Sequence, residues 1–129
     1  MRSYAETVFS ADAREALRIA EAVVRALPDG PAGEWLRCHE VARAVCSRLT
    51  DALLFDGVFG GFMPHTWLYV RNGSETRVLL DPYAIGRLPQ VQLVDPSFRM
   101  CDAYVRGDLR KDIRRAELAA LIASLPEVL

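Results

Sequence analysis

The sequence predicts an α+β domain in which helices pack on a small antiparallel sheet, and three observations carry that expectation. Apolar residues recur at three- and four-residue spacing over the first fifty residues and again after residue 108. Between those blocks the chain changes to short runs of aromatic and branched residues separated by glycine and asparagine turns. With 129 residues, 51% of them hydrophobic and 26% charged, there is material for one core and a single domain spanning 1–129, and too much apolar content for a disordered chain.

The elements follow in order. Ser10 is a cap for a helix from about Ala11 to Leu27, with Ala13, Ala16, Leu17, Ala20, Val23, Val24 and Leu27 on one side. Pro28-Asp29-Gly30-Pro31 ends it. A second helix is predicted from Glu34 or Trp35 to about Leu53, its stripe formed by Cys38, Val41, Ala42, Val45, Cys46 and Leu49. Leu54–Phe59 reads as a strand, Gly60-Gly61 as a turn and His65–Arg71 as a second strand with His65, Trp67 and Tyr69 on one face. Thr76–Asp81 returns as its antiparallel partner, and Val91–Val94 supplies one further short strand within a proline-bounded segment. Asp108 is placed to cap a closing helix over Leu109–Ser124.

Composition excludes several functions. Net charge is −1, from 16 basic and 17 acidic residues, so nucleic acid is not an expected partner. Fifteen of those basic residues are Arg and only Lys111 is Lys, a skew that suggests a GC-rich bacterial genome. No apolar stretch approaches the ~20 residues that cross a bilayer, and the first fifteen residues lack the pattern of a secretion signal. A cytoplasmic protein is expected, unless specialised machinery exports it as an effector or toxin. The cysteines, Cys38, Cys46 and Cys101, are odd in number with no C-x-x-C pair, which argues against a disulfide framework and a structural zinc. No metal or cofactor is expected.

Three residues stand where a nucleophilic thiol site needs them: Cys38 near a helix start, His65 beginning one strand and Asp81 ending its partner. A helix amino end and a neighbouring imidazolium both favour the thiolate, and a carboxylate on the far ring nitrogen fixes the imidazole's tautomer. Register sets a condition. His65 and Asp81 share a face only if the intervening loop has an odd number of residues, which predicts a three-residue Arg71-Asn72-Gly73 loop with Gly73 left-handed.

Cys38 heading a helix with Ala42 four residues on, the strand motif His65-Thr66-Trp67, and Leu80-Asp81-Pro82 resemble the core of the transglutaminase-like branch of the papain-like cysteine hydrolases. The matching stretch runs from about Trp35 to Tyr83. The resemblance implies a papain-like core, a Cys38–His65–Asp81 triad, and an acyl-enzyme mechanism on amide bonds of a peptide or protein substrate: peptide hydrolysis, glutamine deamidation or transfer to an amine. The chain departs from the family in having no matching polar residue before Cys38. The backbone N–H of Cys38 is then one oxyanion donor, with Trp35 or Gln90 as the second.

Other residues have plainer readings. His39 points about 100° from Cys38 on a helix and reads as a surface residue. Cys46 and Cys101 read as packing, and Asp81 before Pro82 also suits a turn. Trp35 suits either substrate contact or a core anchor, and Trp67 either packs on the imidazole or walls the cleft. That cleft is expected from the Gly57–Pro64 loop and the Tyr83–Pro96 segment, with Arg87, Gln90 and Gln92 as polar loop positions. The competing function is a non-catalytic interaction module that presents Phe55, Val58, Phe59, Phe62 and Met63 as a partner surface.

Overall fold

Ser10 starts the first helix, α1 (Ala11–Ala26), where the sequence places it: its backbone is extended and its hydroxyl accepts the Ala13 N–H at 3.3 Å. The structure, a computed structural model, describes residues 8–83, 90–94 and 99–127. Helix α1 buries Ala13, Ala16, Ala20 and Val23 and stops at Leu27, whose extended backbone precedes Pro28. A single turn, α2 (Gly30–Gly33), leads to α3 (Cys38–Cys46).

Helix α3 is shorter at both ends than its apolar stripe predicts. At its start the buried Glu40 carboxylate accepts the Arg37 N–H at 2.8 Å, which makes Arg37 the last non-helical residue. At its end the Ser47 hydroxyl donates to the Ala44 carbonyl, and Asp51 adopts a left-handed backbone (φ 59°) that no helix accommodates.

Strands β1 (Leu53–Phe59), β2 (Met63–Arg71), β3 (Arg77–Asp81), β4 (Gln92–Val94) and β5 (Tyr104–Arg106) form one antiparallel sheet in the order β4-β3-β2-β1-β5. The β2–β3 ladder runs to Arg71 opposite Arg77, and the Asn72 N–H still donates to the Thr76 carbonyl. The tip is therefore Gly73-Ser74-Glu75 rather than Arg71-Asn72-Gly73. It keeps the odd count, and Gly73 takes the left-handed backbone that the tip requires (φ 91°).

Two features depart from expectation. Strand β5, entered through a 3₁₀ turn (Arg99–Ala103), is too short to leave a periodic signal. The closing helix α4 (Arg115–Ser124) begins six residues later than predicted, and Asp108 does not cap it. The intervening segment is held by tertiary bonds instead: the Arg110 N–H donates to Asp56, and Asp112 accepts from Arg37 and Arg110.

Alternation along β2 and β3 divides the interior. Leu68, Val70, Val78 and Leu80 face α1, α3 and Leu118 of α4 in the larger cluster, each such buried side chain contributing roughly 1.5–3 kcal/mol. Trp67, Leu79 and Val94 face the other way, against Phe55, Tyr69, Cys101 and Tyr104. The architecture is thus α+β, with four helices and a five-stranded antiparallel sheet among the described residues. No helix among them is long and apolar enough to cross a membrane.

Gly57 lies opposite both His65 and Arg106, where a Cβ would stand 2.1 Å from the Val105 carbonyl oxygen and 2.7 Å from the Trp67 ring. Gly57→Val is expected to displace β5 and to cost about 1–3 kcal/mol, read as a lower urea midpoint. An unchanged midpoint would show that β5 does not depend on this close approach.

Candidate active site

Cys38 is the first residue of α3, so its side chain sits at the end of the helix where unpaired N–H groups favour negative charge. The helix start is clamped. The Arg37 guanidinium pairs with Glu40 at 2.6 Å and with Asp112 at 2.9 Å, tying the residue before Cys38 to its own helix and to the segment preceding α4.

His65 stands on the opposite wall. It is 1% exposed, and its Nε2 lies 2.7 Å from Asp81 Oδ2. Extending the β2–β3 register puts Asp81 across from Trp67, so His65 and Asp81 are diagonal neighbours on one face, a separation an imidazole spans. Asp81 accepts two further hydrogen bonds, from the Tyr104 hydroxyl at 2.7 Å and the Tyr83 N–H at 3.0 Å. Trp67 stacks on the imidazole at 6.3 Å between ring centroids, and Phe59 and Tyr104 contact it from other sides.

With Nε2 committed to Asp81, Nδ1 is the nitrogen left to handle the Cys38 proton. Burial raises the thiol's pKa, but hydrogen bonding to His39 and His65 overcomes this and brings it from the ordinary 9.0 down to about 6. For His65, burial opposes the charge, while Asp81 first and Cys38 second favour it, moving the ring from 6.5 up to about 9. Both shifts favour a thiolate beside an imidazolium. Burial and the adjacent Asp81 charge hold the Tyr104 hydroxyl well above the ordinary phenol range, so it remains a donor.

The three residues expected to form a triad converge. His39 does not behave as expected: it is 5% exposed, and its Nδ1 lies 2.6 Å from Thr66 Oγ1, because α3 starts so close to β2 that the second helical position also faces the sheet. Of the three residues expected to contact substrate, Trp67 is 1% exposed and supports His65, with no surface to offer a cleft. Trp35 is half-buried against the larger apolar cluster, as a core anchor would be. Gln90 is exposed, just ahead of β4. Arg87 lies outside the described residues.

Cys46 packs on the larger cluster, and burial raises its thiol; Cys101 packs against the Trp67 cluster. Phe55 and Phe59 turn onto Trp67, Tyr69, His65 and Tyr104, leaving Phe62, at 79% exposure, and Met63 as the exposed part of the proposed partner edge. Tyr104 was not singled out by sequence, since nothing local marks a residue whose partner is 23 positions away.

A cleft of about 530 Å³ lies between the end of α1 and the start of α3, with apolar walls from Val24, Leu27, Leu36, Val41 and Tyr83 and the charged Arg25 and Asp29 at its lining; Cys38, His65 and Asp81 do not themselves line it. Leu36 and Val41 bracket Cys38 in sequence, and Tyr83 carries the N–H bound to Asp81. Of the two segments expected to form a cleft, the Gly57–Pro64 loop supplies none of these walls and the Tyr83–Pro96 segment supplies Tyr83, with residues 84–89 and 95–96 outside the described ones; the end of α1 supplies the rest together with α3. Among the described residues no three His, Cys, Asp or Glu side chains are arranged to hold a metal ion. A scan against protein-family models finds no match, and neither do comparisons with curated proteins and with solved structures.

The two shifts have a measurable consequence. Between pH 6.5 and 9 the folded pair carries its proton on His65 and the unfolded chain carries it on the thiol, so both states bind one proton and the pair adds no pH slope to stability. In Cys38→Ala the part of the His65 shift caused by Asp81 remains, without the part caused by Cys38. Its contribution is fully present below 6.5 and is lost as pH rises through the folded value. Stability of Cys38→Ala, relative to the parent, is expected to fall above pH 6.5 by up to ~1.4 kcal/mol per pH unit. Urea unfolding of both proteins across this range tests it, and parallel curves would refute the proton exchange.

Proposed function

We propose that this chain is a small cysteine hydrolase acting on amide bonds, with a papain-like core of the transglutaminase-like type. The observation that carries the reading is the buried imidazole of His65, held by Asp81 at 2.7 Å on Nε2 and in hydrogen-bonding and electrostatic contact with the Cys38 thiol. The helix that opens on Cys38, followed by the hairpin carrying His65 and Asp81, agrees with that core's order of elements.

In this mechanism the Cys38 thiolate attacks the amide carbonyl carbon, and the carbonyl π electrons move onto oxygen, which the Cys38 backbone N–H faces as one donor. Collapse of the tetrahedral intermediate expels the amine, which takes the proton from His65 Nδ1 and leaves a thioester. Neutral His65 then removes a proton from water as it attacks the thioester, and the carboxylic acid departs as the thiolate is restored. A backbone amide makes the enzyme a peptidase, a glutamine side chain makes it a deamidase, and an amine in place of water gives acyl transfer. The substrate is a peptide or protein whose apolar side chain enters the cleft beside Leu36 and Val41. A thiolate of this kind persists in a reducing compartment, which makes the cytoplasm the proposed setting.

The test is thiol reactivity followed by turnover. At pH 7 iodoacetamide is expected to label Cys38 about tenfold faster than Cys46 or Cys101, because the gain in thiolate fraction exceeds the loss of intrinsic nucleophilicity that accompanies a lower pKa. His65→Ala is expected to remove that advantage. Incubation with glutamine-containing peptides then separates cleavage from a gain of one mass unit on a glutamine. Equal, slow labelling of all three cysteines would refute the hydrolase and leave the interaction module.

A further inference from the structure

His39 adjoins the proposed nucleophile and is not needed as its base, yet it is buried and tethered. Its Nδ1 lies 2.6 Å from Thr66 Oγ1, and the Thr66 hydroxyl donates to Asp56 Oδ1 at 2.5 Å. A hydroxyl has one proton. With that proton committed to Asp56, Thr66 accepts from His39, so Nδ1 carries hydrogen. Asp56 is held in turn by two bonds from Arg43, at 3.1 and 2.5 Å, and by the Arg110 N–H at 3.0 Å. The Cys38 sulfur lies 3.5 Å from His39 Nδ1 and 3.8 Å from Nε2. A point so nearly equidistant from both nitrogens is off the in-plane axis of either, so the hydrogen-bonding contact by which His39 favours the thiolate is side-on, and His39 is not aimed to take the Cys38 proton.

Successive residues of a strand point to opposite faces. His65 and Thr66 therefore place two imidazoles about the same sulfur, one directly and the other through the Thr66–His39 bond. We propose that His39 is a positioning residue for Cys38: the Asp56–Thr66 array locks its ring against the sulfur and keeps the thiolate turned toward His65. The charged and titratable groups around His39 are Glu40 and Arg43 on its own helix, Asp56 on β1, His65 on β2 and Arg110 in the segment before α4. The inference rests on Cys38 being the reactive thiol of the function proposed above.

The experiment is the pH profile of Cys38 alkylation by iodoacetamide. His39→Asn retains an N–H toward Thr66 and removes the ring. It is expected to move the lower limb of the profile upward from about 6 by about one pH unit, a tenfold loss of thiolate on that limb, while the His65 limb stays in place. Thr66→Val should move the limb in the same direction, and Thr66→Ser should leave it at the parental position. A His39→Asn profile that superimposes on the parent, or equal shifts in both Thr66 variants, overturns the proposal. Should His39→Asn fail to fold, the His39 ring carbons of the unmutated protein, followed by NMR, must show an inflection where Cys38 ionises that disappears in Cys38→Ser; without it the proposal falls. A parent whose Cys38 alkylates no faster than Cys46 defeats the hydrolase reading instead, so the two failures are distinct.

Discussion

The fold's functional geometry depends on the buried contact between Arg43 and Asp56. Asp56 sits in the middle of β1, opposite Thr66, and its carboxylate accepts from Arg43 of α3, from the Thr66 hydroxyl of β2 and from the Arg110 N–H. One side chain therefore fixes the helix that carries Cys38 against the strand that carries His65. Removing two charges from water is costly, and such a pair contributes little net stability compared with well-packed apolar residues. Its contribution is specific orientation: an apolar contact would allow α3 to slide, whereas a two-pronged guanidinium–carboxylate contact at 3.1 and 2.5 Å fixes both depth and rotation.

That rigidity matters because the second face of the sheet is thinly covered. The larger cluster has two helices and part of a third over it, but Trp67, Leu79 and Val94 are covered by aromatic rings and a short 3₁₀ turn. Tyr104 resolves the difficulty this creates for a buried imidazole. Entering on the edge strand β5, it packs its ring on Trp67 at 5.2 Å and on Phe59 at 4.9 Å and presents its hydroxyl to Asp81. One residue closes the apolar layer and satisfies the carboxylate within it, and the close approach of β5 depends on Gly57.

Local signals in the sequence predict α1, the Gly60-Gly61 turn and, through the odd count of the second hairpin loop though not its residues, the face shared by His65 and Asp81, since each rests on a cap, a glycine or the parity of a hairpin. What the sequence could not show has a common cause. Helix α3 starts late because Glu40 caps it at Arg37 and ends short before the left-handed Asp51, which is held by Arg71 and Arg77, and α4 starts late because Asp112 and Arg110 engage partners from Arg37 to Asp56. Helical rotation alone places His39 at the surface. That argument holds in mid-helix, but at the first turn the sheet lies close enough to meet two adjacent positions. Long-range polar bonds override periodicity, and they concentrate around Cys38.

The electrostatics of the site explain that concentration. The shifts at Cys38 and His65 both favour a thiolate beside an imidazolium, among groups that are largely buried and with the Asp81 carboxyl hydrogen-bonded to the far ring nitrogen. A buried negative charge is costly unless hydrogen-bond donors or an opposite charge support it. Besides His65, Asp81 has two donors, the Tyr104 hydroxyl and the Tyr83 N–H. At the sulfur, the amino end of α3 contributes its own unpaired N–H groups. Both ends are thus supplied with donors that carry no full charge of their own, and both favour the protonated form of the imidazole between them. This is the physical reason that a short helix starting at Cys38 and an edge strand bearing Tyr104 belong to the same site.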